Sequence, residues 1–292
     1  MVMNFMHVIR LLDTLGLMAT AGLTAGNIPK PVPQQPKFGV CTSLGRSDLL
    51  RSIGFDYLEA SVVRDLMPGR PDDEFELKRA EFEACGLPVL ACNGFLPGDL
   101  RVTGPDARHD TILKYAETAF RRAKSVGIQV IVFGSSSARS IPEGFDRDLA
   151  RTQFVSLLKA LGPLAAINGV IIAVENLQES ETNFINTVGE AIEVVKAANH
   201  PNVGVCADFF HMLRQGESPD MLLTAGNLLV HCHLAEKQNR TAPGVAGEDF
   251  SPFFQALAKT GYRGGVSIEG SWRGEELAEA LRVLRKQSRS EQ

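Results

Sequence analysis

The stretch 169-GVIIAVEN-176 decides how the fold is read. Val170 to Val174 form an unbroken apolar run, a glycine stands ahead of it, and a carboxylate, Glu175, closes it. An apolar run without polar alternation belongs to a strand covered on both faces, as inside a parallel sheet. A glycine just before such a run sits where a left-handed residue ends the preceding helix. Working outward, the same grammar returns in 38-FGVCT-42, 56-DYLEAS-61, 88-PVLACNGF-95, 128-IQVIVFG-134, 203-VGVCAD-208, 229-LVHCHLAE-236 and 265-GVSIEG-270. Each run is followed by a stretch of helical period, over residues 45–53, 73–85, 106–126, 146–168, 187–199, 216–226, 250–260 and 274–287. Gly54, Gly86, Gly127, Gly169 and Gly261 punctuate the returns to strand.

Eight βα units over residues 37–292 predict one α/β domain, a (β/α)8 TIM barrel. The 292 residues suit the ~250 of such a barrel plus a short extension. No GxGxxG follows the first strand, which argues against an open dinucleotide-binding sheet. A formal net charge of -4 and the lack of a concentrated basic face argue against nucleic acid as a partner. Five cysteines make an odd count with no CxxC pair, so free thiols are expected; Cys41, Cys92, Cys206 and Cys232 lie in or beside apolar runs as small hydrophobes.

Residues 1–36 read as an N-terminal extension or vestigial signal that ends in the proline-rich linker 29-PKPVPQQPK-37. Asp13 lies close to the apolar stretch, only Arg10 precedes it as a positive charge, and Leu11 to Leu23 falls short of the roughly 20 residues of a membrane span. A cytoplasmic protein is the expectation, with no membrane partner and with export by a cleaved signal as the alternative. Assembly as a homodimer or homotetramer is left open by the sequence.

In a closed parallel barrel the chemistry sits at the C-terminal ends of the strands. Those ends carry Glu59, Asn93, Glu175, Asp208, His233 with Glu236, and Glu269. Several carboxylates facing one cavity repel unless a cation or protons intervene. Glu175, Asp208, His233 and Glu269 come from strands 5 to 8, neighbouring staves, and could surround one ion. Three hard oxygens and an imidazole suit Mn²⁺ first, with Mg²⁺ or Co²⁺ as alternatives, better than a closed structural zinc site. His211, three residues past Asp208, is expected in the loop at the same mouth. His231, two residues before His233, shares its facing one layer deeper and reads as a core histidine behind the ligand. The loops 93-NGFLPGDLRVTGPD-106 and 134-GSSSARSIPEGFD-146 should shape the substrate pocket. Ser135 to Ser137 with Arg139 could cradle an anion, but there is no P-loop lysine, and neutral sugar hydroxyls suit the same groups.

The runs 175-ENLQESETNFINT-187, 208-DFFHM-212, 233-HLAEKQNRTAPG-244 and 261-GYRGGVSIEG-270 resemble the motifs of the xylose-isomerase-like sugar isomerase/epimerase superfamily, nearest to its D-tagatose and D-psicose 3-epimerase branch. The resemblance spans roughly residues 38 to 287. It implies a TIM barrel, a divalent metal on Glu175, Asp208, His233 and Glu269, and contacts to substrate oxygens from Glu181, His211, Glu236 and Arg240. It also implies that Glu175 and Glu269 face opposite sides of a small sugar and act as its acid and base. Two departures stand out. The spacing from Glu236 to Arg240, filled by Lys-Gln-Asn, is longer than in the ketose epimerases, and 175-ENLQES-180 lacks their proline and Asn-Arg pair.

The expected reaction is isomerisation or epimerisation of a sugar or keto-sugar, by proton abstraction next to a carbonyl through an enediolate. A metal-dependent lyase or dehydratase on a keto-glycoside or keto-inositol needs the same parts plus a leaving group. An endonuclease IV-like phosphodiesterase would need several zinc ions and more histidine ligands than six histidines supply. A non-catalytic sugar-binding barrel is the reading from another class.

Overall fold

A computed structural model describes residues 35–289. Its eight strands are β1 (Lys37–Cys41), β2 (Tyr57–Ser61), β3 (Val89–Asn93), β4 (Val130–Phe133), β5 (Ile171–Glu175), β6 (Val203–Asp208), β7 (Leu229–Leu234) and β8 (Gly265–Ile268). They close in sequence order into a barrel, every neighbouring pair parallel, with β1 against β8. The helices are α1 (Ser47–Ile53), α2 (Asp72–Glu83), α3 (His109–Ser125), α4 (Ser136–Arg139), α5 (Arg147–Ile167), α6 (Val188–Ala198), α7 (Phe209–Gln215), α8 (Met221–Ala225), α9 (Ser251–Thr260) and α10 (Glu276–Gln287). The expected extension falls on residues 1–36. All but Gln35 and Pro36 of it lie outside the described residues, and these two belong to no helix or strand. Among the described residues no helix is long and apolar enough to cross a membrane.

Two of the outer helices, α5 and α6, start where the sequence offers an acceptor for their free N–H groups. The Asp146 carboxylate accepts from Leu149 N at 2.7 Å to cap α5, and the Thr187 hydroxyl accepts from Glu190 N at 3.1 Å to cap α6. Gly54, Gly127, Gly169 and Gly261 take the left-handed conformation expected of them, whereas Gly86 does not. A contiguous core forms between sheet and helices, with Phe95, Phe120, Phe133 and Phe154 packed ring to ring. Inside the barrel a small apolar plug of Val132, Ala173 and Cys206 lies on β4, β5 and β6.

Three stretches depart from expectation. The single helix expected over 216–226 is replaced by α7, a turn at Gly216 and the short α8. The cause is Asp208, which caps α7 through Oδ1 to His211 N at 3.1 Å, so the helix begins directly after the strand. His211 therefore stands in the first turn of a helix, not in a loop. The loop after β4 contains α4, and residues Val62–Leu66 form one turn of π-helix after β2.

Candidate active site and metal centre

Side chains alternate along each strand, so Glu175, Asp208 and His233 point into the barrel mouth two residues above Ala173, Cys206 and His231. Asp208 and His233 are direct partners across β6 and β7. Glu269 lies one residue beyond β8, its N–H donating to Leu234 O at 3.0 Å, which keeps it level with the others. Each of Glu175, Asp208, His233 and Glu269 places one potential ligand atom within 4.8 Å of those of the other three. His233 Nδ1 is 2.8 Å from Glu175 Oε1 and 3.6 Å from Glu269 Oε2. Gly134, at the end of β4, is glycine for a local reason: a Cβ there would run into Glu175 Oε2.

Asp208, His211 and His233 are fully buried. Burial and then the Glu269 charge push the Asp208 carboxyl up to about 6. The same two causes, in the same order, raise Glu175. Burial would raise Glu269 too, but His233 and then Arg240 outweigh it and hold its carboxyl at about 2. Burial disfavours charge on His233, yet Glu59, first among several surrounding acidic groups that include Glu269, helps outweigh it, and together they lift the imidazole well above its usual range.

Two buried atoms at the mouth have no hydrogen-bond partner among the described residues: Asp208 Oδ2, an acceptor, and His211 Nε2. They lie 3.6 Å apart. His211 Nδ1 accepts from Gln178 N at 3.2 Å, so in the neutral ring Nε2 carries the proton and is an unsatisfied donor. An orphaned buried carboxylate oxygen beside an imidazole and two further carboxylates is what a cation site presents before its ion is added. The donors present therefore fit a divalent metal, and Asp208, Glu175, Glu269 and His233 would hold it.

Arg240 reaches back over the cluster. Its Nη2 lies 2.5 Å from Glu269 Oε2 and 3.8 Å from Asp208 Oδ2, its Nη1 lies 3.2 Å from Glu181 Oε1, and its guanidinium stacks 4.8 Å from the Phe210 ring centre. The longer spacing before Arg240 is taken up by two successive left-handed residues, Asn239 (φ 57°) and Arg240 (φ 52°), which fold the chain back on itself. Glu181 Oε2 is 3.9 Å from His211 Nε2, so Glu181, His211 and Arg240 surround one space above the four potential ligands.

Glu236 is not among them. β7 ends at Leu234 and the chain turns, leaving the Glu236 carboxylate fully buried under the following loop. It accepts from the backbone N–H groups of Gly244, Ala246, Gly247 and Glu248 and from the Thr241 hydroxyl. The expectation that Glu236 contacts substrate is corrected: its oxygens are committed to shaping the loop that carries Arg240. Arg139 likewise is no anion cradle. Its guanidinium is buried and donates to the carbonyls of Phe133, Glu175 and Ile185 at 2.7 to 3.2 Å, stapling the end of β4 to that of β5.

Three contributors carried no assigned role in the sequence. Asn93 Nδ2 donates to Glu269 Oε1 at 2.6 Å. Asn176 brackets Asp208, accepting from its N–H at 2.9 Å and donating to its carbonyl at 3.3 Å. Glu59 lies beneath His233. Asn93 and Glu59 were visible as polar residues at strand ends. Asn176 had no signal beyond its place next to Glu175. The five cysteines are free thiols as expected; Cys92, Cys206 and Cys232 are buried, and Cys41 Sγ lies 3.9 Å from His233 Nε2.

A closed parallel barrel with buried carboxylates and an imidazole gathered at its C-terminal mouth defines an α/β barrel with the layout of an enzyme. The xylose isomerase-like TIM barrel family model matches residues 47–287, and the chain belongs to that family. It is 29% identical over 220 residues to the 3-dehydro-D-guloside 4-epimerase of Escherichia coli K12, covering 72% of this chain and 82% of the relative. It is 31% identical over 269 residues to a probable ketose 3-epimerase of Synechocystis, covering 85% and 89%. Among solved structures, the apo form of the 3-keto-D-glucoside 4-epimerase of E. coli matches with a TM-score of 0.75 at 24% identity, over 86% of this chain and 100% of that one. The protein is an enzyme of the isomerase and epimerase class.

Proposed function

We propose that the protein epimerises or isomerises a keto-sugar by moving a proton at a carbon next to the carbonyl, with one divalent ion, Mn²⁺ before Mg²⁺ or Co²⁺, on Glu175, Asp208, His233 and Glu269. The observation that carries this reading is the pair of orphaned buried atoms, Asp208 Oδ2 and His211 Nε2, facing one space between carboxylates. The first has no hydrogen-bond donor, with the Arg240 guanidinium no nearer than 3.8 Å, and suits a small cation; the second suits an acceptor such as a sugar oxygen. A bound divalent ion would supply positive charge to stabilise the oxygens of an enediolate.

The chain's own groups do the rest. His211 Nε2–H and the Arg240 guanidinium donate to substrate oxygens, and Glu181 accepts from a hydroxyl. Glu175 and Glu269 enter from β5 and from beyond β8, and each has carboxylate oxygens within reach of the same space. One removes the proton and the other returns it on the opposite face, which inverts the centre. Asn93 on Oε1 and Arg240 on Oε2 fix the Glu269 carboxylate in one orientation. The relatives named for keto-glycosides and for ketoses support a neutral keto-sugar substrate, with keto-glycosides tested first.

Deuterium wash-in from solvent across a panel of 3-keto-glycosides, ketoses and inosose, read by mass spectrometry, tests the reading. Deuterium should enter a carbon next to the carbonyl, accompanied by an epimeric or isomeric product. Release of free aglycone would favour the lyase reading instead, and metal binding with no exchange on any substrate would favour a binding barrel.

A further inference from the structure

We propose that Glu59 is a positioning residue: its carboxylate fixes the ring orientation and tautomer of His233 so that Nδ1 presents a lone pair to the divalent ion. The inference rests on the metal reading above and adds to it the group that holds one ligand in a binding state.

Glu59 is completely buried near the end of β2 and reaches under the mouth. One of its oxygens, Oε1, is 2.9 Å from His233 Nε2. The other, Oε2, is 2.7 Å from His231 Nε2 and 2.5 Å from Ser267 Oγ. An ionised carboxylate only accepts, so all three partners must donate to it. His233 therefore carries its proton on Nε2, and in the neutral ring Nδ1 is left bare, facing Glu175 and Glu269. Ser267, having given its proton to Glu59, must accept from Tyr57 Oη at 2.6 Å. The chain of donors thus runs one way, from Tyr57 through Ser267 to Glu59, with both histidines as further donors.

The surrounding backbone is built to hold this network. A Cβ on Gly39 would overlap the Tyr57 ring, and one on Gly265 would stand 2.5 Å from the Tyr57 hydroxyl and 3.1 Å from His231. Glycines on β1 and β8 thus give the polar chain its room inside the barrel. None of Tyr57, Ser267, Glu59 or His231 can reach substrate, since His233 and its fellow ligands lie above them.

Carboxylates that accept from the second nitrogen of a ligating histidine typically change metal affinity by ~10–100-fold when removed. The Glu59→Gln change is the informative one because it keeps the shape. An amide can accept on one side only; with its oxygen where Oε2 stands it keeps both the His231 and Ser267 donors, so its NH₂ faces the His233 Nε2–H, and relief comes by moving the His233 proton to Nδ1, where it blocks the ion.

The test is Mn²⁺ titration into chelator-treated protein, following free Mn²⁺ by electron paramagnetic resonance. Wild-type protein should bind about one ion per chain. Glu59→Gln should bind ~10–100-fold more weakly while keeping wild-type far-UV circular dichroism and a cooperative melt. Tyr57→Phe, which leaves the Glu59 to His233 bond in place, should stay within about 3-fold of wild type. Wild-type affinity in Glu59→Gln overturns the proposal and leaves the metal reading standing. No binding by wild-type protein overturns both. Should Glu59→Gln not fold, the ring ¹⁵N shifts of His233 in wild-type protein loaded with Mg²⁺ decide the matter. They should show a protonated Nε2 and a bare Nδ1, and the opposite tautomer overturns the proposal.

Discussion

Glu175 and Glu269 are each asked to touch an ion and to move a proton, and replacing either by Gln separates the two roles. Glutamine keeps a carbonyl oxygen for the ion and removes the base. Each variant should retain a measurable fraction of its metal while turnover falls by at least ~10²-fold, the lower end for a lost general base. The two should differ in residual chemistry. The variant that keeps the base on the proton-bearing face of the substrate should still exchange that proton with solvent without inverting the centre. A Glu269→Gln enzyme turning over at the wild-type rate would leave Glu269 a ligand alone. The metal itself is tested by Asp208→Asn and His233→Ala. Purified wild-type protein should carry about one divalent ion per chain, both variants should lose most of it, and metal analysis showing equal content in all three would sink the assignment.

At the scale of elements, the loop from Lys237 to Glu248 is held by one buried carboxylate. Four backbone N–H groups converge on Glu236, and Arg240 rides on the loop they define. Glu236→Ala leaves those donors without their acceptor, at about 1–3 kcal/mol for each that stays buried. Such a loss should loosen the loop before the barrel, because the ladder of β7 and β8 does not depend on it. Hydrogen exchange at Gly244 to Glu248 should therefore accelerate, and KM should rise as Arg240 loses its place, with metal content little changed. Unaltered exchange protection in this loop would show that Glu236 does not organise it. The same scale explains α7: an aspartate that points one oxygen at the helix start and leaves the other unpaired toward the mouth joins secondary structure to the site in a single side chain.

For the whole molecule, on the metal assignment proposed above, gathering buried carboxylates at one mouth should make stability depend on pH and metal together. Asp208 stands at about 6 against an ordinary 3.8, and Glu175 is shifted the same way. A carboxyl raised on folding favours the folded state while protonated, a contribution present below its unfolded pKa and lost as pH rises through the folded one. Glu59 and Glu269 are held low and remain ionised above the ordinary carboxylate range. Chelated protein should therefore lose cluster-derived stability between about pH 4.5 and 6, and metal affinity should climb over the same interval as the proton gives way to the ion. At neutral pH, metal at 100 times its Kd should add about 2.7 kcal/mol, or roughly 5–10 °C in Tm for a chain of this size. Melting curves with chelator and with Mn²⁺ across this range measure both effects. A chelated Tm that rises steadily from pH 4.5 to 6 would contradict the sign.

The sequence by itself determined the eight βα units, their barrel closure and the gathering of Glu175, Asp208, His233 and Glu269 at one mouth. Period and strand position are local properties, and in a closed parallel barrel a residue at a strand's C-terminal end has one place to go. The shifted start of the helix after β6 was not legible: Asp208 stood among the strand-end carboxylates, and its capping of α7 depends on the tertiary placement of its side chain. Only the tertiary structure decided the orientations. Glu236 and Arg240 lie four residues apart on one loop, yet one carboxylate turns down to hold the backbone while the guanidinium turns over the site. Glu59 stood among the strand-end residues without a role, because its partners His231, His233 and Ser267 are 172 to 208 residues away along the chain. Which acceptor meets which donor across a barrel is set by register and packing between distant strands, and no local pattern in the chain encodes it.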